Sequence, residues 1–276
     1  MEEIEKRYDL IEVLKETADK FQPQFLNQLR KELGPRELEI LDFLFKEYYR
    51  KDKTKGRWWD PYHILFSTCF TVKLVKINKQ ISPLIITGSL LHDIGYHFIE
   101  DKDNWDASQN RIVHMQEGGA ETAKILTMFG TYSYQEVGII VGMVTSHDNS
   151  YLDIRIRNPD RLALQDADRI CLLHPLIFYK DWISRRKKKE GFSLPDLFQR
   201  RLNYFYGVEE SLPVPGIRDR NNSSLRVSYT SLAKEWRDRQ FKDRWQEIQN
   251  NITDNEKVFR ETIERYIRAE LKEGRG

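Results

Sequence analysis

The sequence predicts an all-α fold, on three observations. Apolar residues recur at helical spacing in nearly every segment. The breaks between segments carry helix start and stop residues: Gly34-Pro35, Asp60-Pro61, Ser82-Pro83, Gly130 and Pro175. One stretch, Ile85-Ile86-Thr87, admits a strand reading, and its length and start signals favour helix. The expected architecture is one mainly helical domain. It has an N-terminal helical extension over 1–55, a core over 56–180 and a C-terminal helical layer over 181–276 packing on that core.

The elements follow in order. Residues 3–20 place Ile4, Leu10, Ile11, Val13 and Leu14 among charges, which predicts a helix. RELEILDFLFKEYYR, 36–50, repeats the pattern after Gly34-Pro35 breaks the chain. KDKTKGRWWDP reads as a loop ending in a helix start, and YHILFSTCFTVKLVKIN as a largely buried helix. SPLIITGSLLHDIGYHF, 82–98, reads as one helix, with Ser82 as N-cap and Pro83 at the first position. Residues 101–113 are polar and read as a loop. The next helix, HMQEGGAETAKILTMFG, then opens near His114 and closes at Gly130. SYQEVGIIVGMVTSHD is a helix ending near His147, NSYLDIRIRNP is irregular or a short extended piece, and DRLALQDADRICLLHP is a helix stopped by Pro175. Beyond it lie a basic run, RRKKK at 185–189, a Pro/Gly/Asn-rich break at 213–224, and strongly charged helices over 229–272.

Bulk composition narrows the class. The 276 residues, 39% hydrophobic and 32% charged, suit one large domain with a heavily charged surface. A net charge of +2 sets up no global field toward nucleic acid or membrane. Cys69 and Cys171 form no CxxC pair and read as buried small hydrophobes in a reducing cytoplasm. The opening MEEIEKRYDLIEVLKE lacks the apolar core of a signal peptide. No run approaches the ~18 apolar residues of a membrane span. There is no GxxxxGK[ST] phosphate loop and no nucleophilic triad.

The chemistry centres on LLHDIGYHF, 90–98, where a His-Asp pair sits in an apolar run. Burying that polarity costs several kcal/mol unless something satisfies it. The six histidines are His63, His92, His97, His114, His147 and His174. Four of them lie in separate predicted helices near apolar surfaces, and Asp93 and Asp168 accompany them. Imidazole and carboxylate donors suit Zn, Mn, Fe, Co or Ni better than Ca or Mg. Helix bundles commonly build such sites from inward-facing side chains.

The order His63, His92-Asp93, His114, His147, Asp168 resembles the HD superfamily of metal-dependent phosphohydrolases. The resemblance is carried by YHILFSTCFTVKLVKIN, GSLLHDIGYH, HMQEGGAETAKIL, GIIVGMVTSHD and LQDADRICLL, and covers residues 60–175. It implies an HD-domain helical bundle in which His63, His92, Asp93 and Asp168 hold a first metal. Asp93 would bridge to a second, held by His114 and His147. The implied cofactors are two divalent transition metal ions (Mn, Fe, Co, Ni or Zn, with Mg also admitted). The implied reaction is attack of metal-activated hydroxide on a phosphoester, a nucleotide or cyclic nucleotide. Two metals ~3.5–4 Å apart clamp the attacking and leaving oxygens of such a transfer. DADR offers both Asp166 and Asp168, which point ~200° apart on a helix. The family pattern puts the ligand just before the arginine, selecting Asp168 and leaving Asp166 as a surface or supporting carboxylate.

The resemblance also raises expectations around the centre. Relatives carry a phosphate-contacting lysine three positions after the motif aspartate, where this chain has Tyr96. His97 would donate to phosphate instead, or pack at a helix end. Asp148 would orient a ligand or act as acid or base, or else be a solvated helix-end carboxylate. Arg169 would contact phosphate or pair with a carboxylate. Trp58, Trp59 and Tyr62 would stack on a base or anchor packing, and His174 reads as structural. The RRKKK run reads as a solvated face, and the overall charge gives no support for nucleic acid. The GYP of cyclic-di-GMP phosphodiesterases is absent from HDIGYHFIEDK. Two other readings use the same residues: an HD-fold mixed-valent di-iron oxygenase, and a degenerate, non-catalytic nucleotide-binding HD domain. The expected partner is a small phosphorylated substrate and no membrane. The amphipathic terminal helices allow a homodimer without requiring one.

Overall fold

A computed structural model describes residues 9–50, 59–99, 108–149, 154, 156–206 and 229–273. Ile4, Trp58, most of the loop expected at 101–113 and the break at 213–224 lie outside the described residues. The described residues form α-helices and short 3-10 turns, with no strand. The helices are α1 (Leu10–Glu32), α2 (Pro35–Glu47), α3 (Asp60–Ile77), α4 (Leu84–Leu91), α5 (Ser108–Phe129) and α6 (Tyr134–Val144). They continue as α7 (Pro159–Ile170), α8 (Pro175–Lys188), α9 (Leu194–Tyr206), α10 (Ser231–Gln249) and α11 (Glu256–Glu273). No helix among them is long and apolar enough to cross a membrane.

Polar side chains set several helix starts. Asp9 accepts from the Ile11 amide, Asn158 from Arg161 and Thr230 from Ala233, each covering an amide that the first turn leaves unpaired. Ser133 and Glu136 form a reciprocal capping box at α6. The helix expected over 3–20 is longer: α1 continues through Pro23 to Glu32. An interior proline costs ~3 kcal/mol by removing one ladder bond and crowding the preceding turn. Phe21, Phe25 and Leu29 extend the buried stripe of Val13, Leu14 and Ala18 across the proline, and this packing carries the helix past it.

α3 is buried on nearly every side and packs on α1, α4 and α7. One apolar cluster runs from Val13 in α1 to Leu271 in α11. The N-terminal extension, the core and the C-terminal layer therefore share a single interior.

α8 and α9 are tied by charge as well as apolar contact. The buried Asp181 carboxylate accepts from Arg185 at 3.0 Å and from Arg201 of α9. Burial works to raise its pKa, but Arg201, Arg185 and Lys180 outweigh burial and lower it from 3.8. A depressed carboxylate contributes stability that is present above its unfolded pKa and lost as pH falls through its folded one. Asp181→Asn is therefore expected to destabilise the protein at neutral pH, with the gap from wild type closing below pH 3.8. Urea titrations across pH 2.5–7 check this; a gap that does not vary with pH would show the charge to be irrelevant.

Candidate metal centre

The helix expected over 82–98 is broken where the site begins. α4 ends at Leu91, His92 caps it, and Asp93 takes φ −99° and ψ 6° before a tight 3-10 turn over Ile94–Phe98. The break turns two adjacent side chains toward one point. Gly95 makes it feasible: a Cβ there would lie 1.8 Å from the His114 carbonyl oxygen and 2.7 Å from the Gly118 amide nitrogen. Backbone thus meets backbone where the turn crosses α5. α5 itself opens at Ser108, not near His114, so His114 sits in its second turn. α6 ends at Val144, earlier than expected, and His147 lies in the turn after it.

Five segments deliver six donors to one place. His63 comes from α3, His92 and Asp93 from the end of α4, His114 from α5, His147 from the turn after α6, and Asp168 from α7. Their donor atoms fall into two sets, His63–His92–Asp168 and Asp93–His114–His147, each with its atoms within 4.8 Å of one another. Asp93 lies between the sets. Its Oδ2 is 3.3 Å from His63 Nε2, and its Oδ1 is 3.5, 3.7 and 3.9 Å from the Nε2 atoms of His147, His92 and His114. Asp168 Oδ1 is 3.2 Å from His63 Nε2 and 3.7 Å from His92 Nε2.

Backbone carbonyls set the tautomers. His92 Nδ1 donates to Ser89 O at 2.8 Å, His147 Nδ1 to Val144 O at 2.7 Å and His114 Nδ1 to Asn110 O at 3.3 Å. A carbonyl only accepts, so each Nδ1 carries a proton and each ring points its Nε2 at the donor cluster. Ring nitrogens arranged this way are typical of metal-ligating histidines. The Nε2 atoms of His114 and His147 are 3.1 Å apart, and those of His63 and His92 are 3.0 Å apart. Two lone pairs at that distance repel unless a cation, a proton or a metal ion, lies between them.

The electrostatics agree. Burial works to raise the Asp93 pKa, but the charge of His92 and bonds from His147 and His63 hold it well below the carboxylate range. Burial likewise opposes ionisation of Asp168, and His63 and His92 outweigh it. Burial lowers the His147 pKa, but Asp93, Asp148 and Asp168 more than offset it, to about 9. Burial and the charge of His147 bring His114 down to about 4, which keeps its lone pair available. The donors are thus two ionised carboxylates and four imidazoles, a set that fits divalent transition metal ions.

Side-chain exposure marks an accessible side. Asp168 is 18% exposed, His63 11% and Asp93 10%, whereas His92, His114 and His147 are closed off. Tyr96 lies flat on the His114 ring at 4.0 Å. The Cys171 thiol donates to the Ala167 carbonyl at 3.4 Å. Gln165 donates to the His147 carbonyl at 3.1 Å.

Several expected roles move. Asp166 is no surface carboxylate: it is buried and accepts from the Tyr229 and Thr230 amides at 2.8 and 2.6 Å, tying α7 to the start of α10. Arg169 places its guanidinium 5.9 Å from the Tyr204 ring of α9 and acts on Asp166. His97 packs edge-on against Tyr48 and Tyr49. Tyr62 is buried beneath Phe25, with its hydroxyl 2.7 Å from His174, and offers no face to a base. Trp59 carries Lys180 over its ring. His174 caps α8 and contacts Glu270 of α11 at 2.9 Å. Cys171 is buried as expected, and Cys69 only partly so. Asp148 is not solvated: it is buried and paired with Arg111 at 2.6 Å. Arg111 and Gln165 went unread in the sequence, although each lies one helical turn before a ligand, three residues ahead of His114 and Asp168.

Comparison of the chain with protein-family models, with curated proteins and with solved structures gives no match. The chemistry is therefore read from the donors themselves.

Proposed function

We propose that the chain is a metal-dependent phosphohydrolase of the HD type, acting on a small phosphoester at a dinuclear centre. The observation that carries this reading is the pair of abutting donor sets joined by Asp93, with three of the four histidines oriented by backbone carbonyls. His63, His92 and Asp168 would hold one ion, His114 and His147 the other, and Asp93 would touch both. Ions bound there would polarise a phosphoryl oxygen and bring the pKa of water toward neutrality. The protein supplies the rest. Nδ1–H bonds keep the rings from turning, Asp93 would offer a carboxylate to both ions, and the apolar packing around His92, His114 and His147 excludes bulk water on the closed side. The accessible edge of Asp93, His63 and Asp168 is where substrate would enter. A nucleotide is the first substrate class to test.

The test is metal analysis of the purified protein together with hydrolysis of a phosphomonoester and a phosphodiester under added Mn. Two transition metal ions per chain with hydrolysis supports the proposal. Two irons, no hydrolysis and O₂ consumption would replace it with an oxygenase. His114→Ala is expected to lower metal content from two ions per chain to one and to abolish turnover. Two ions retained in that variant would remove His114 from the ligand set.

A further inference from the structure

We propose that Arg111 is the phosphoryl-binding side chain of this centre and that Asp148 is the positioning residue that presents it. The inference rests on the phosphohydrolase reading above and adds to it the group that recognises the anion. A phosphoester carries negative charge toward a centre lined by Asp93, Asp148 and Asp168. A cationic donor beside the metal ions would add charge and directed hydrogen bonds to receive it. Of the two side chains expected to do so, Arg169 has its guanidinium 5.9 Å from the Tyr204 ring and His97 packs against Tyr48 and Tyr49. Tyr96 is occupied in stacking on His114.

Arg111 lies in the turn of α5 that precedes His114, on the same face. Its Nη1 donates to Asp148 Oδ2 at 2.6 Å, and that same oxygen is 3.6 Å from His114 Nε2. The guanidinium is thus two contacts from a donor nitrogen of the second ligand set. Asp148 is 4% exposed and Arg111 12%, so the carboxylate is the more deeply buried of the two and the guanidinium keeps some accessible surface. A guanidinium carries five N–H donors in a planar fork, so it can hold Asp148 and a phosphoryl oxygen together. Asp148 fixes the fork in advance, so little side-chain freedom is lost when the anion arrives. A lysine would offer a point charge on a flexible stem instead.

The experiment uses the metal-loaded full chain, with inorganic phosphate as the probe in titration calorimetry and p-nitrophenyl phosphate for steady-state rates. Arg111→Gln is expected to weaken phosphate binding and raise KM between about tenfold and a hundredfold, with metal content unchanged. Arg111→Lys is expected to recover part of that loss. Phosphate binding by Arg111→Gln at wild-type strength would overturn the proposal. Should Arg111→Gln fail to fold or lose metal, Arg111→Lys decides. A several-fold loss of phosphate affinity there supports the fork, and unchanged affinity overturns it. Wild-type hydrolysis with both variants unaffected defeats this inference alone. A wild type that neither binds phosphate nor hydrolyses any phosphoester defeats the phosphohydrolase reading and this inference with it.

Discussion

On the proposed dinuclear reading, Asp93→Ala is expected to abolish metal binding and to lower any phosphoester hydrolysis by about 10³-fold or more. The carboxylate lies within 3.9 Å of all four imidazole Nε2 atoms. Its loss removes the ligand shared by the two sets and one of the two carboxylate charges among the six donors. Two imidazoles per site then remain, with Asp168 serving only the first. Asp93→Asn is the sharper variant, because it keeps the shape and one carbonyl oxygen but removes the charge. It too is expected to lose metal. Elemental analysis gives the answer directly, and two ions per chain in Asp93→Ala would mean that the centre is built on other residues.

Gly95→Ala is expected to destabilise the fold by about 3 kcal/mol, the upper end of what overpacking usually costs, and to release the second metal ion. The added carbon would sit 1.8 Å from the His114 carbonyl oxygen, and both partners are backbone, so no side chain can swing aside. Relief requires α5 to move away from the 3-10 turn, carrying His114 with it. Gly138→Ala provides the contrast. Gly138 lies inside α6 with nothing within 4 Å of the added carbon. It is expected to be neutral or to stabilise by about 0.5–1 kcal/mol, since alanine loses less backbone freedom in a helix. Urea unfolding of the two variants side by side makes the comparison. Equal stabilities would show that the crossing has room to spare.

Gly95 also shows where reading the sequence stops. Its neighbours Asp93 and His92 announce themselves as donors in an apolar run. Nothing local says that the helix must break there. The break comes from how closely α5 approaches, with Gly118 on the facing side. The start of α5 at Ser108 was hidden for a related reason: residues 108–113 are mostly polar, and a polar first turn looks like a loop until its partner is known. Asp148 followed by a loop looked solvated because its partner, Arg111, is 37 residues away in the chain.

By itself, the sequence determined that this protein is helical and which donor types occur in which order. Those properties follow from backbone preferences and apolar periodicity, which act over a few residues. Only the tertiary structure decided which polar side chains share a volume. It set Asp168 beside His63 and His92 while sending Asp166, two residues earlier, to anchor α10. It also packed His97 against Tyr48 and Tyr49 and paired Arg111 with Asp148, whose carboxylate lies 3.6 Å from His114. The physical reason is that a helix fixes only the angle between its own side chains. What each one meets is settled by the crossing of another helix, whose distance and rotation depend on residues remote in the chain.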